Sequence, residues 1–418
     1  MGGLGGNNGH LNHLYEDYNL TFGELKQILL DLSENKITTY EKVDGQNLSI
    51  TYNPKTHQPL AARNKTDIKS GGITLAKVSS RYQDKPNVKL AFTDAMSAFN
   101  AAVRRMTYYQ RFQLFDPAIG GTPFINAEVM SVKNPNVIKY DANYLVMHQL
   151  SRCSKTGKSN VCDDSFSSIV TELNEITVDV NGDDWHIFGP KKIDLSSTMN
   201  RSRMQIAQEQ ICDLMQVWNV TDENTIRELI LKIIFTTHVP DLVMSLEPKL
   251  ALDKRVLDER GAPTTPSIVK GLPDNQKKLI TMLSKNRVDF VRTALVPLEM
   301  IVNDFGLGLL ENSHSYFVSN GSDQVLDLRS RVADAIEALE KEDDPALRKK
   351  VDLNWEKLGK DANNITSTVE GIVFKRNGSS YKVTGGFAPM NQILGWVNPA
   401  FAQSRGRSSL IPLPVFVG

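Results

Sequence analysis

Apolar and polar positions along the chain fall into stretches of different period. Thr21-Phe-Gly-Glu24 reads as a capping box opening an amphipathic helix through Leu25, Ile28, Leu29 and Leu32, which stops near Asn35. A strand pattern follows over 46–52, with Leu48, Ile50 and Tyr52 at alternate positions and Asn53-Pro54 as its turn. The spacing predicts a second helix over about 93–112 and strands over 124–129, 137–140 and 144–150.

Between about 200 and 360 the period changes to three and four, predicting helices over 204–218, 223–235, 276–302 and 324–342. Strands return over 368–375 and 380–384, separated by Arg376-Asn377-Gly378-Ser379; Asn-Gly accepts positive φ, so this is a hairpin signal. The pattern is α+β, with a largely antiparallel sheet interrupted by a mainly helical stretch. It suggests a first part over 1–150, an insertion over 151–360 and a completing segment over 361–418.

The 418 residues are 40% hydrophobic and 23% charged, an ordinary water-soluble composition that excludes collagen-like, disordered and disulfide-framework chains. Three cysteines, Cys153, Cys162 and Cys212, lack the paired spacing of a zinc or thioredoxin motif and fit a reducing compartment. No leader pattern opens the chain and no long apolar run suggests a membrane span, so a cytoplasmic location is expected. The 48 basic and 48 acidic residues cancel, but unevenly: the first 150 residues hold 16 and 13, residues 151–355 hold 25 and 32, and the remainder 7 and 3. A positive excess in the two outer parts points to an anionic partner for them.

Candidate chemistry gathers at Glu41-Lys42-Val43-Asp44-Gly45, where a strand-end lysine can be held rigidly while glycine lets backbone approach closely. A second group is Glu370-Gly371-Ile372-Val373-Phe374-Lys375 with Tyr381-Lys382-Val383 across the hairpin. Arg63 and Glu128 lie between them in the chain. Other motif-like stretches carry less: Gly2–Gly6 lacks the Gly-Lys-Ser/Thr of a phosphate loop, His10 and His13 lack a third ligand, and the stretch from Asp179 to Asp184 reads as a hairpin turn.

Taken together and in this order, these residues resemble the covalent nucleotidyltransferase superfamily of polynucleotide ligases and capping enzymes. Lys42-Val-Asp-Gly45 looks like motif I, Arg63 like motif Ia, Glu128 like motif III, 144–150 like motif IIIa, 370–375 like motif IV and 381–384 like motif V. The resemblance implies an antiparallel-sheet, ATP-grasp-like ligase core. Lys42 would be the nucleophile that takes AMP from ATP as a lysyl phosphoramidate. Lys375 and Lys382 would grip the α-phosphate and disfavour a protonated Lys42; at an amine pKa of ~10.4 only about 0.04% is neutral at pH 7, against about 10% at ~8. Glu128 and Glu370 would serve magnesium or the ribose hydroxyls, and Arg63 the ribose or phosphate. Glu41 and Gly45 would border the nucleotide, Asp44 would orient the loop, and Met147 would cover the base. The sequence departs from the pattern at Thr384, where the family usually has a second motif V lysine.

Only 36 residues follow Lys382, too few for the C-terminal OB domain of DNA ligases and capping enzymes. The chain is therefore most similar to bacteriophage RNA ligases, implying transfer of AMP to a 5′-phosphate, sealing by a 3′-hydroxyl, nucleic-acid ends of RNA as partner and, if phage-encoded, a location in the host cytoplasm. A minimal DNA nick ligase, or a phage module that binds nucleotide or transfers AMP without ligating, stays open. Nothing in the sequence sets the oligomeric state.

Overall fold

A computed structural model describes residues 11–135, 138, 140–156, 159–195, 201–257, 259, 261–310 and 370–384. The chain forms two compact units. Of the described residues, Leu11, Thr38–Asp194, Leu310 and 370–384 make the first; Asn12–Ile37 and Leu195–Leu309 make the second. Thus 151–194 belong with the first unit and 12–37 with the second, a division different from sequence boundaries at 150 and 360. The predicted helix over 324–342 lies outside the described residues.

The first unit is α+β and rich in antiparallel pairing. Its strands are β1 (Thr39–Lys42), β2 (Gln46–Asn53), β3 (Gln58–Ala62), β4 (Ile73–Thr74), β5 (Thr122–Met130), β6 (Asn143–Cys153), β7 (Ser159–Val161), β8 (Ile176–Val180), β9 (Asp183–Phe188), β10 (Lys192–Ile193), β11 (Gly371–Arg376) and β12 (Ser379–Val383). One sheet runs β4-β3-β2-β5-β6-β9-β8, with β7 also on β6; β9 and β6 are parallel and the other pairs antiparallel. A second sheet contains β12-β11-β1-β10. Both Asn-Gly turns adopt the positive φ that closes two-residue hairpins: Asn181 and Gly182 between β8 and β9, Asn377 and Gly378 between β11 and β12.

One face of the large sheet is sealed by the helix Pro86–Arg104. Proline at the helix start costs no hydrogen bond, and Ala91, Phe92, Ala95, Met96, Phe99, Ala102 and Val103 recur at helical spacing to form a stripe. The stripe packs on Leu48, Ile50, Tyr52, Ile125, Ala127, Leu145 and Met147. Alanines let the helix approach closely; the phenylalanines fill the remaining volume. The single helix expected over 93–112 is broken in two, because Thr107 and Gln110 form a second capping box that starts Tyr108–Phe115. The strand expected over 137–140 falls partly outside the described residues; Ile138 and Tyr140 are in no strand.

The second unit is mainly helical. Thr21 and Glu24 cap Phe22–Ser33, and Thr225 and Glu228 cap Ile226–His238 in the same way. The predicted helix over 276–302 extends as Asp274–Leu310, through Pro297. By length and composition alone this helix could cross a bilayer, but 56% of its most apolar window is buried within the protein, as in the core helix of a soluble protein.

Phe99 is fully buried against Phe115. Phe99→Ala is expected to lower unfolding free energy by about 3–5 kcal/mol, measured by urea denaturation; a loss under about 1 kcal/mol would contradict this packing.

Candidate active site

The chain passes from the small sheet to the large one through Val43-Asp44-Gly45, the three residues between β1 and β2. This crossing is tightly fixed. The Gly45 N–H donates to Glu128 Oε2 (2.9 Å), the Asp44 N–H donates to the Tyr140 hydroxyl (2.8 Å), and Asp44 Oδ2 accepts from the Ile138 N–H (2.6 Å). A Cβ at Gly45 would stand 3.0 Å from Glu128 Cβ and Met130 Cγ and 3.1 Å from the Val129 carbonyl, so glycine is required by close approach.

Lys42 ends β1 with its side chain 19% exposed, and its ammonium donates a hydrogen bond to Glu370 Oε1, from 328 residues further along the chain. Glu370 precedes β11, and the pairing of Gly371 with Lys42 brings it there. Glu128 reaches the same point from β5. Glu128 and Glu370 are pushed up to about 7 and about 8, first by burial and further by neighbouring carboxylates, with Lys42 pulling against both effects. Burial alone would lower the lysine; Glu370, Glu128 and Asp44 outweigh it and hold the amine above its ordinary value. The expectation that neighbouring cations depress Lys42 is therefore reversed: its carboxylate neighbours hold it up.

The remaining sequence candidates separate. In register, Lys382 faces Val373, which faces Tyr40, so Lys382 shares the Lys42 face of the small sheet two strands away. Lys375 does not join them. It lies beyond the last β1 pairing, exposed, with Asp163 at 3.6 Å. Glu41 alternates with Lys42 and is buried in register with Ile372 on the opposite face. Arg63 sets its guanidinium over the Phe92 ring, 5.0 Å from the centroid, toward the helix-covered side. Met147 is wholly buried in that same apolar cluster, so it covers no ligand.

A β-bulge on β6 supplies a residue that motif reading passed over. Ala127 pairs with Met147 and Asn126 with Gln149, leaving His148 as the extra residue. Its ring is half-buried, and burial, then the Lys42 charge, lowers it to about 4, so it is neutral at physiological pH. His148 Nε2, Glu370 Oε2 and Thr384 Oγ1 are sealed from solvent and have no hydrogen-bond partner among the described residues. Buried polar atoms left in this way are rare in folded chains and call for a physical account.

Among the described residues no group of three or more His, Cys, Asp and Glu side chains could hold a metal ion. Glu128 and Glu370 remain a two-carboxylate pair with one orphaned oxygen, the number that suffices for a magnesium ion otherwise held by water and phosphate.

No protein-family model, curated protein or solved structure matches the chain.

Two acids raised by burial bind protons in the folded chain that the unfolded chain has already released. Stability should accordingly fall as pH rises from about 4.5 to about 8, whereas the raised lysine loses its contribution only above its ordinary 10.5. In urea denaturation, wild type should lose on the order of 6 kcal/mol from pH 5 to pH 8 relative to the Glu128→Gln, Glu370→Gln double variant. Parallel pH dependence in the two proteins would refute the carboxylate geometry.

Proposed function

We propose that the chain is an ATP-dependent covalent nucleotidyltransferase with an ATP-grasp-like ligase core, acting as an RNA ligase. One observation carries the reading: a shielded lysine at the crossing between two sheets, bound to Glu370 and held close to Glu128 and Asp44, with the Thr384 hydroxyl, unpartnered among the described residues, two strands away. A surface lysine needs none of this. A lysine serving only to balance charge would not face more carboxylates than it can neutralise.

In the first step the Lys42 Nζ lone pair attacks the α-phosphorus of ATP. An N–P bond forms, the bond to the β-phosphate oxygen breaks, and pyrophosphate leaves with the electron pair. The amine must first shed a proton that its carboxylate neighbours hold on it. Magnesium, held by Glu128 and Glu370, would supply positive charge that neutralises these acids and the phosphates. Lys382, on the same sheet face, spreads the charge that grows on the α-phosphate oxygens. Gly45 keeps the loop tight against Glu128, and Asp44 holds it through Ile138 and Tyr140. A terminal 5′-phosphate then displaces Lys42 from AMP, and a 3′-hydroxyl attacks the activated phosphate to release AMP. Lys375, Glu41, Arg63 and Met147 have no part in this scheme.

The strong hold on the Lys42 proton also favours a second reading, a module that binds nucleotide without forming an adduct. Incubation with α-labelled ATP and magnesium separates them. Wild type should acquire an acid-labile label, Lys42→Ala none, and Glu370→Gln at least about tenfold less; a label that survives Lys42→Ala sinks the proposal. Chase with 5′-phosphorylated single-stranded RNA, nicked RNA and nicked DNA should discharge the adduct with RNA. Discharge by nicked DNA alone would identify a DNA ligase.

A further inference from the structure

The large sheet has two faces of different character. Against the helix Pro86–Arg104 lie aliphatic and aromatic side chains; on the other face, alternation sets Asn47, Ser49, Thr51, Asn126 and Gln149. Asn47 and Asn126 bond side chain to side chain across β2 and β5, and Thr51 Oγ1 is buried with no partner among the described residues. This run of neutral amides and hydroxyls, flanked on the same face by Phe124 and Val146, suits a ligand part that is polar but uncharged.

His148 stands where this neutral surface meets the charged group at Lys42. The bulge is what turns it there: were Met147 followed directly by Gln149, β6 would keep strict alternation and no imidazole would be added to this face. Its Nε2 is shut off from solvent and bonded to nothing among the described residues. Burial and the Lys42 charge both keep the ring neutral, so it can offer one N–H without adding a charge. In a nucleotide whose α-phosphorus lies at Lys42, the uncharged polar group next along the molecule is the sugar.

We propose that His148 is a specificity-determining contact, its Nε2 hydrogen-bonding a ribose hydroxyl of the nucleotide held at Lys42. The inference rests on the nucleotidyltransferase reading and adds a sugar preference set at the bulge.

The test is single-turnover adduct formation at subsaturating nucleotide, comparing ATP with 2′-deoxy-ATP and 3′-deoxy-ATP in wild type, His148→Ala and His148→Gln. Wild type should favour ATP over one deoxy analogue by about 10- to 100-fold. His148→Ala should bring ATP down to the rate of that analogue while changing the analogue by less than about twofold, and His148→Gln, which keeps an N–H, should recover part of the preference. If His148→Ala does not fold, wild type carrying 15N-histidine decides: the Nε2 resonance should move with ATP and move less with the disfavoured analogue. Equal slowing of ATP and both analogues in His148→Ala, an intact preference in that variant, or a resonance indifferent to the sugar overturns the proposal. An adduct formed by wild type without sugar preference removes the His148 role alone; no adduct with any nucleotide removes the nucleotidyltransferase reading, and this proposal with it.

Discussion

An ammonium taken out of water is tolerable only beside anions, and Lys42 meets this condition at an unusual excess. Asp44, Glu128 and Glu370 converge on one amine, so the carboxylates are not all balanced, and two of them respond by holding their protons to near-neutral pH. Each of the three comes from a different part of the first unit: the crossing loop, β5, and the segment entering β11. The register of β1 against β11 and of β2 against β5 must therefore be correct together for the group to exist. The electrostatic arrangement and the sheet pairing specify one another.

Close approach fixes the same place sterically. Gly45 has Glu128, Val129 and Met130 within 3.1 Å of where a Cβ would stand, and Gly371, opposite Lys42, has the Val383 carbonyl oxygen at 2.3 Å. Neither glycine has positive φ. They are demanded by neighbours, not by backbone conformation, and they keep the Lys42 end of both sheets thin. The Asn-Gly hairpins are the opposite case, where the dihedral angles themselves select the residues.

Local features were readable from the chain because their causes are local. Capping boxes at Thr21 and Thr225, alternation from Leu48 to Tyr52 and the turn at Asn377-Gly378 each depend on residues a few positions apart. The approach of Glu370 to Lys42 spans 328 positions and was reached only through the order of motifs. Motif position then misled where one-residue parity decides: Glu41 turns away from the neighbouring Lys42, and Met147 sits on the helix side while His148 does not. Lys375 keeps the parity of the Lys42 face, but the β1 pairing stops at Phe374 and leaves it to solvent beside Asp163. The histidine left a weak trace in the sequence, a polar ring directly after the apolar run Leu145-Val-Met147, but nothing announced the extra residue that aims it.

The separation of Lys42 from Glu370 also sets an order of events during synthesis. At about 5–20 residues per second a ribosome needs roughly 16–66 s to make the intervening 328 residues. For that interval the amine has emerged without its glutamate, and β1 lacks the strand that later shields it. Nascent chains thus carry the lysine through most of their synthesis before its surroundings exist, and translation of those 328 residues times when the Lys42 group can assemble.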